Sequence, residues 1–362
     1  RPAAVYLTDI QSADSGTPAE VQNLVNRMNN GDVQALFIHG NNPIFELPSS
    51  LGFSSALAKV PLVISFSSFP DETALQSDYV LPDHTPLESW GYQRTLAGSD
   101  RLALSSSQPV VVPLYDTRAT ADVLLAAIQA AGGSLAEKVG YTDEVDFIQK
   151  KLVPLLQRKG SDGLFTAPEI LTFWSQWLQR GGWWLKNRSL STAGAGSLSQ
   201  ALAIQPPETA EANTFYLVTY ATQLGDGSGA NRPWLQETPH PMTTAIWNSW
   251  VEIHPDAAAR LGIQDDDVVR ISSPAGEIEA AAYLYPGIRP DTIAIPFGQG
   301  HTALGRYAEG RGANPVQLIP ASFNPSGDLA YGDARVTLAP AGRRQQLARL
   351  ESREGVYGDG QH

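Results

Sequence analysis

Cysteine is absent from all 362 residues. With it go disulfides, thiolate nucleophiles and cysteine-ligated iron–sulfur clusters within this stretch. Long apolar runs are missing too. No segment reaches the roughly 18 consecutive apolar residues of a membrane helix, so no direct membrane span is expected. Positive charge is scarce: 25 Lys and Arg face 37 Asp and Glu, for a formal net charge of −12. A phosphate backbone would be repelled, which excludes nucleic acid as an expected partner. Several catalytic templates are also lacking. There is no G-x-S-x-G elbow, no phosphate-binding P-loop, no H-E-x-x-H and no G-x-G-x-x-G fingerprint of a dinucleotide-binding dehydrogenase. The chain opens at Arg1 without Met or signal peptide, and reads as an internal piece of a longer polypeptide.

What is present organises into segments, and the length suggests two or three domains. Residues 1–133 alternate helices with short apolar strands. Pro18 to Met28 carries Val21, Leu24, Val25 and Met28 at helical spacing, and Asn29-Asn30-Gly31 stops it. Residues 35–39 (ALFIH) read as a strand covered on both faces, 50–60 as a helix, 61–66 (PLVISF) as a second buried strand, and 79–81 as a third. Residues 120–131 read as a helix capped by Thr120 and ended by Gly132-Gly133. Such alternation predicts a doubly wound parallel sheet of α/β class.

Residues 134–187 predict a helical extension. Thr166 to Glu169 has the form of a capping box, with Ile170, Leu171, Trp174, Trp177 and Leu178 on one face behind it. Trp174, Trp177, Trp183 and Trp184 make core or subunit contact the expected role, because large rings bury the most area. Residues 188–213 are small, polar and Pro-containing, and predict a linker. From 214 to 341 the period shifts to two, with short strands between Gly, Pro and Asp turns and one helix over 255–261, which is a β-barrel pattern. The polar stretch 342–362 reads as a tail leading to a following domain.

Four constellations stand out. Gly40-Asn41-Asn42-Pro43 follows a strand directly, where open parallel sheets bind ligands; Gly and Asn there either make a tight turn or present N–H groups to an anion. Glu72, Thr73, Asp78, Pro82, Glu88 and Gly91 form a spaced set in which Asp71 or Glu72 is placed to cap a short helix. His254 to Ile263 runs into Asp265-Asp266-Asp267, which lacks an EF-hand pattern and gives no metal site. The loop over 297–301 and Gly312-Ala313-Asn314 contain His301 and Asn314, each readable as a hydrogen-bonded loop residue or as a ligand contact. The glycine-rich run 225–229 precedes Asn231-Arg232-Pro233-Trp234 rather than a helix, and reads as a flexible loop.

The run from Thr73 to Gly91 and the run from His254 to Gly298 resemble the third and fourth domains of the molybdopterin oxidoreductases, the dimethyl sulfoxide reductase family. In that family G-x-N-P follows the strand, and the pattern E-T…A-D-x-V-L-P…E…G matches here with Ser77 in place of Ala. The barrel pattern "hPeDAaeLGI" then G-D-x-V matches with Asp266 in place of Gly, a position that needs left-handed tolerance. The resemblance implies an α/β domain followed by a six-stranded, double-psi type β-barrel cap closing over pterin dinucleotides. It implies Gly40, Asn42, Pro43, Glu72, Thr73, His301 and Asn314 as vestigial pterin-site positions. No catalytic residue and no metal ligand are expected within this stretch.

Within the family, residues 87–91, 113–116 and 234–243 look most like the large iron–sulfur subunit of alternative complex III. That branch implies a scaffold without molybdenum cofactor in a quinol oxidoreductase complex, with iron–sulfur clusters in the following part of the polypeptide. Its implied partners are a multihaem cytochrome c and quinol-binding membrane subunits, on the periplasmic side of the bacterial inner membrane. The alternative is part of a catalytic bis-pterin subunit, as in polysulfide or thiosulfate reductases, for which molybdopterin would be the cofactor.

Overall fold

The computed structural model describes residues 16–94, 101–156, 163–186 and 213–350. The predicted linker, all but its last residue, and the end of the predicted tail lie outside the described residues. The described chain falls into two compact units: residues 16–80 together with the barrel region, and residues 81–186.

The first unit begins with α1 (Pro18–Asn29), held at its start by a capping box in which the Thr17 hydroxyl and the Glu20 carboxylate satisfy each other's backbone N–H groups. Strands β1 (Leu36–Ile38), β2 (Val63–Ser65) and β3 (Tyr79–Val80) make a parallel sheet in the order β1-β2-β3. Short helices α2 (Pro43–Glu46) and α3 (Phe53–Leu57) connect them. The helix expected over 50–60 is broken: a 3-10 turn covers Ser49–Leu51, and Gly52 at φ +76° separates it from α3. Strand β1 is buried on one face only, since Phe37 is 54% exposed. Met28, Leu51, Phe53, Leu57 and Val63 form the core, with Ala321 and Phe323 from the barrel region packed against it.

In the second unit, β4 (Gly91–Arg94), β5 (Ala103–Ser107) and β6 (Gly182–Trp184) form an antiparallel sheet that the helical expectation for 134–187 missed. Around it lie α4 (Thr120–Ala131), α5 (Gly133–Val139), α6 (Glu144–Leu156) and α7 (Ile170–Arg180). Two predicted caps are not made. Thr120 is already helical, and the first N–H of α4 is taken by Asp83 Oδ1 at 3.1 Å. At α7 the chain stays extended through Glu169, with no side-chain cap; Pro168 disfavours helix in the residue before it. Three of the four tryptophans join the core: Trp177 is fully buried with its indole N–H on the Leu104 carbonyl, Trp183 belongs to the same cluster and Trp174 packs partly buried against it, while Trp184 lies outside it.

One carboxyl of this unit is under strain. Burial pushes Glu144 up to about 7, helped by the negative charges of Asp122, Asp83 and Asp143. A raised folded-state value means that the native state holds the proton more tightly than the unfolded chain. Stability therefore falls as pH rises from 4.5 through about 7. Glu144→Gln is expected to raise stability at pH 8 by about 1 kcal/mol, allowing for screening of a half-buried group. The gain should disappear at pH 4 in denaturant melts; no gain at pH 8 would refute the assignment.

The barrel contains β7 (Thr214–Tyr220), α8 (Pro233–Gln236), β8 (Trp250–Ile253), α9 (Pro255–Leu261), β9 (Asp267–Ser273), β10 (Gly276–Leu284), β11 (Thr292–Pro296) and β12 (Arg335–Arg344). Six strands close in the order β10-β8-β11-β7-β12-β9. The β8–β10 and β7–β11 pairs are parallel and the others antiparallel. Val251, Ile253, Ile271, Ile293, Ile295 and Leu318 fill the interior, each such side chain contributing roughly 1.5–3 kcal/mol by leaving water.

The substitution at Asp266 is tolerated as expected. Its φ is +68°, and its carboxylate accepts from the Leu347 N–H at 3.2 Å. Asp266→Ala should cost about 1 kcal/mol more than Asp266→Gly, because both lose that contact but only Ala bears the left-handed strain. Equal losses in denaturant melts would contradict this.

Candidate functional site

The predicted site residues converge within the first unit, on the face where the α/β segment meets the barrel loops. Gly40 turns the chain out of β1 at φ +71°. Asn42 then points inward and Pro43 opens α2. The turn does not offer its amide to an anion as anticipated, because Asn42 N–H donates to Glu46 Oε1 at 2.9 Å.

At the centre lies Glu72. Its carboxylate accepts from Asn42 Nδ2 at 2.7 Å, from the Thr302 N–H at 2.7 Å and from the Ala303 N–H at 3.1 Å. His301 Nδ1 lies 3.2 Å from both of its oxygens. Asn42 Oδ1 in turn accepts from the Thr73 N–H at 3.1 Å and hydroxyl at 2.7 Å, while that hydroxyl accepts from the Ile44 N–H at 3.2 Å. On its far side His301 places Nε2 3.1 Å from the Gly227 carbonyl. The ring thus lies between two acceptors, the Glu72 carboxylate and the Gly227 carbonyl. Phe45 stacks on that ring, with centroids 3.6 Å apart and planes 10° from parallel. Asn314 completes the set: its Nδ2 donates to the Phe45 carbonyl at 2.8 Å and its Oδ1 accepts from the Val316 N–H at 3.0 Å.

Burial alone would push the Glu72 carboxyl up. Hydrogen bonds from His301 and Asn42 outweigh it and hold the group at about 2. The helix-capping role falls to Asp71 instead, whose Oδ1 accepts from the Ala74 N–H at 2.7 Å. Asp78 likewise serves the sheet, accepting from the Val63 N–H at 2.7 Å.

Sequence reasoning missed Phe45 and Gly227. The glycine-rich run 225–229 is no loose loop: Gly227, at φ +109°, passes so close that a Cβ there would strike the Phe45 ring and come within 2.8 Å of His301 Nε2. The clue was available, since glycine is required where backbone approaches a buried ring. The aspartates 265–267 are spent on Arg349, Arg344 and backbone amides, and no group of metal-ligating side chains occurs among the described residues.

Beside this network opens a cavity of about 810 Å³, lined by residues including Pro43, Phe45, Ser54, Gly300, Asn314 and Arg343. That is within the size range of ligand pockets. The polar atoms of Asn42, Glu72, Thr73 and His301 are taken by one another or by backbone. The lining guanidinium of Arg343 is paired with Glu279 at 2.6 Å. As donors to a pterin pyrophosphate Asn42, Glu72, Thr73 and His301 do not fit.

Comparison with known proteins places this arrangement. Residues 10–128 match the molybdopterin oxidoreductase family and residues 232–327 the molybdopterin dinucleotide binding domain. The chain belongs to the molybdopterin oxidoreductases. It is 29% identical, over 85% of its length and 42% of the relative, to a menaquinone reductase molybdopterin-binding-like subunit of Nitratidesulfovibrio vulgaris. It is 25% identical, over 89% of its length and 46% of the relative, to an arsenate respiratory reductase molybdopterin-containing subunit of a Shewanella species. Among solved structures, acetylene hydratase from Pelobacter acetylenicus shares the fold, with a TM-score of 0.65 at 17% identity over 93% of this chain and 49% of that one. The chain thus spans less than half the length of these relatives. The match covers the mixed α/β segment and the closed six-stranded barrel of this chain.

Proposed function

We propose that this chain is the scaffold half of a molybdopterin-like subunit in a quinol-coupled electron-transfer complex of the alternative complex III kind. The observation that carries the reading is the closed network at Glu72. Groups positioned where a family member would meet its cofactor are consumed by one another and lock the α/β segment to the barrel loops. On this reading Gly40, Asn42, Pro43, Glu72, Thr73, His301 and Asn314 are remnants of a pterin site with a structural task. The Nitratidesulfovibrio relative, a molybdopterin-binding-like subunit of a menaquinone reductase, supports it. So does the exposed apolar stretch in the second unit, where Val112 is 86% and Leu114 79% exposed, since contiguous exposed apolar surface marks docking.

The proposed setting is the periplasmic face of a bacterial inner membrane. Iron–sulfur clusters would lie in another part of the polypeptide, and a multihaem cytochrome c and quinol-binding membrane subunits would be its partners. No described helix is long and apolar enough to cross a membrane, so attachment would run through those partners. The test is metal analysis by mass spectrometry, with fluorescent detection of oxidised pterin, on the purified full-length complex. Molybdenum and tungsten well below one per subunit are expected.

A second reading has its own observation. The 810 Å³ cavity leaves room for a ligand, and the arsenate respiratory reductase and a tetrathionate reductase subunit of Salmonella typhimurium are relatives. It makes the chain part of a catalytic bis-pterin subunit. Stoichiometric metal with pterin would establish it and overturn the first.

A further inference from the structure

A second cavity, of about 220 Å³, lies on the outer face of the barrel and shares no lining residue with the first. Tyr220 at the end of β7, Glu252 on β8, Tyr283 on β10, Tyr285 just beyond it, and the loop residues His240 and Met242 line it. The side chains follow from strand register. Val251 and Ile253 face the barrel core, which turns Glu252 outward, and its cross-strand partner on β10 is Tyr283.

Glu252 is 9% exposed, and only one of its oxygens is used. Oε1 accepts from the Tyr220 hydroxyl at 2.5 Å and from the Trp250 indole N–H at 3.3 Å. Among the described residues Oε2 has no hydrogen-bond donor, and no lysine or arginine pairs with Glu252. Arg349 sits over the Tyr283 ring at 4.9 Å but directs Nη2 to Asp265 and Asp266. His240 brings no charge: burial pushes its imidazole down, against the pull of Glu252. Its Nδ1 is taken up by the Thr243 N–H.

A buried carboxylate without a counter-ion is costly, and a cation entering beside it recovers that cost. Aromatic walls favour a particular class of cation, because ring faces attract an organic ammonium or guanidinium and pack against its carbon stem. A metal ion is poorly served by one carboxylate and an imidazole that is already engaged. We propose that this cavity binds an alkylammonium or guanidinium head, with its charge on Glu252 Oε2 and its stem against Tyr220, Tyr283 and Tyr285. The proposal is independent of the redox reading. Two sources share the chemistry: a free amine, and a lysine or arginine side chain of a partner protein.

The test titrates the full-length subunit with n-butylammonium, and with 1-butanol as its neutral isostere, by ligand-observed NMR. Saturable binding of the ammonium alone is expected, weakened at least tenfold in Glu252→Gln. That variant keeps an acceptor for Tyr220 and Trp250, so the barrel should persist. Should it misfold, Tyr285→Leu at the cavity wall is expected to weaken binding several-fold. No saturable binding, equal binding of butanol, or variants that bind like the parent would overturn the proposal. Repeating the titration on the intact complex separates the sources: a free-amine site stays open, whereas one filled by a partner's side chain is blocked.

Discussion

Glu72→Ala is expected to lower the unfolding free energy by about 3–5 kcal/mol at pH 7, the range for removing one partner of a buried ion pair. The substitution strands the His301 ring, the Thr302 and Ala303 amides and the Asn42 side chain. Each was desolvated on the assumption of a carboxylate, and an unsatisfied buried donor bears the full desolvation penalty. The pH dependence follows with its sign. Since the folded-state value is depressed from 4.5 to about 2, the stabilisation is complete above 4.5 and is lost as pH falls through about 2. Denaturant melts from pH 7 to pH 2 should therefore show a steeper acid limb in the parent than in the variant. A loss under 1 kcal/mol at pH 7 with identical acid limbs would remove Glu72 from the role assigned here. A double-mutant cycle with His301→Gln should return a coupling of about 1–3 kcal/mol, as contacting residues do.

That network shows what the sequence could and could not reveal. Asn42 was visible as a residue of interest because its turn follows a strand directly, and Glu72, Thr73 and His301 because they lie in or beside runs that resemble the molybdopterin oxidoreductases. Their mutual pairing was not visible, because 229 residues separate Glu72 from His301 and no local pattern encodes such a contact. Phe45 and Gly227 escaped for the same reason: one looked like a core residue of a short helix, the other like loop filler. Four barrel strands, β7, β9, β10 and β11, were legible as short apolar runs between turns; β8, where Trp250, Val251, Glu252 and Ile253 are all buried, was not, and neither was β12, whose end at Arg344 runs into the predicted tail. Helix ends failed where a distant side chain decides them, as Asp83 does for α4, or where a single residue interrupts a good pattern, as Gly52 does before α3. The sheet of β4, β5 and β6 could not be anticipated, since its strands come from segments about 80 residues apart.

Gly300→Ala should be nearly as damaging as losing Glu72, by a different route. Gly300 sits at φ +96°, and a Cβ there would collide with the Asn314 N–H and lie 2.9 Å from Ala313 Cα. These are backbone atoms and cannot rotate away as a flexible side chain would. Strain of about 1–3 kcal/mol from the dihedral adds to about 1–3 kcal/mol of overpacking, for a loss of about 2–6 kcal/mol. Gly40→Ala is the control, because its φ of +71° is equally left-handed but nothing lies within 4 Å of the added carbon; about 1 kcal/mol is expected there. The contrast bears on the site, because Gly300 draws two loops together. Its N–H donates to the Arg311 carbonyl at 2.7 Å, which brings Asn314 to the Phe45 carbonyl while His301 reaches Glu72. If the two alanine variants prove equally mild in denaturant melts, the close approach at Gly300 is not what holds these loops in register. If Gly300→Ala also flattens the acid limb as Glu72→Ala does, the backbone crossing and the buried ion pair are one cooperative element.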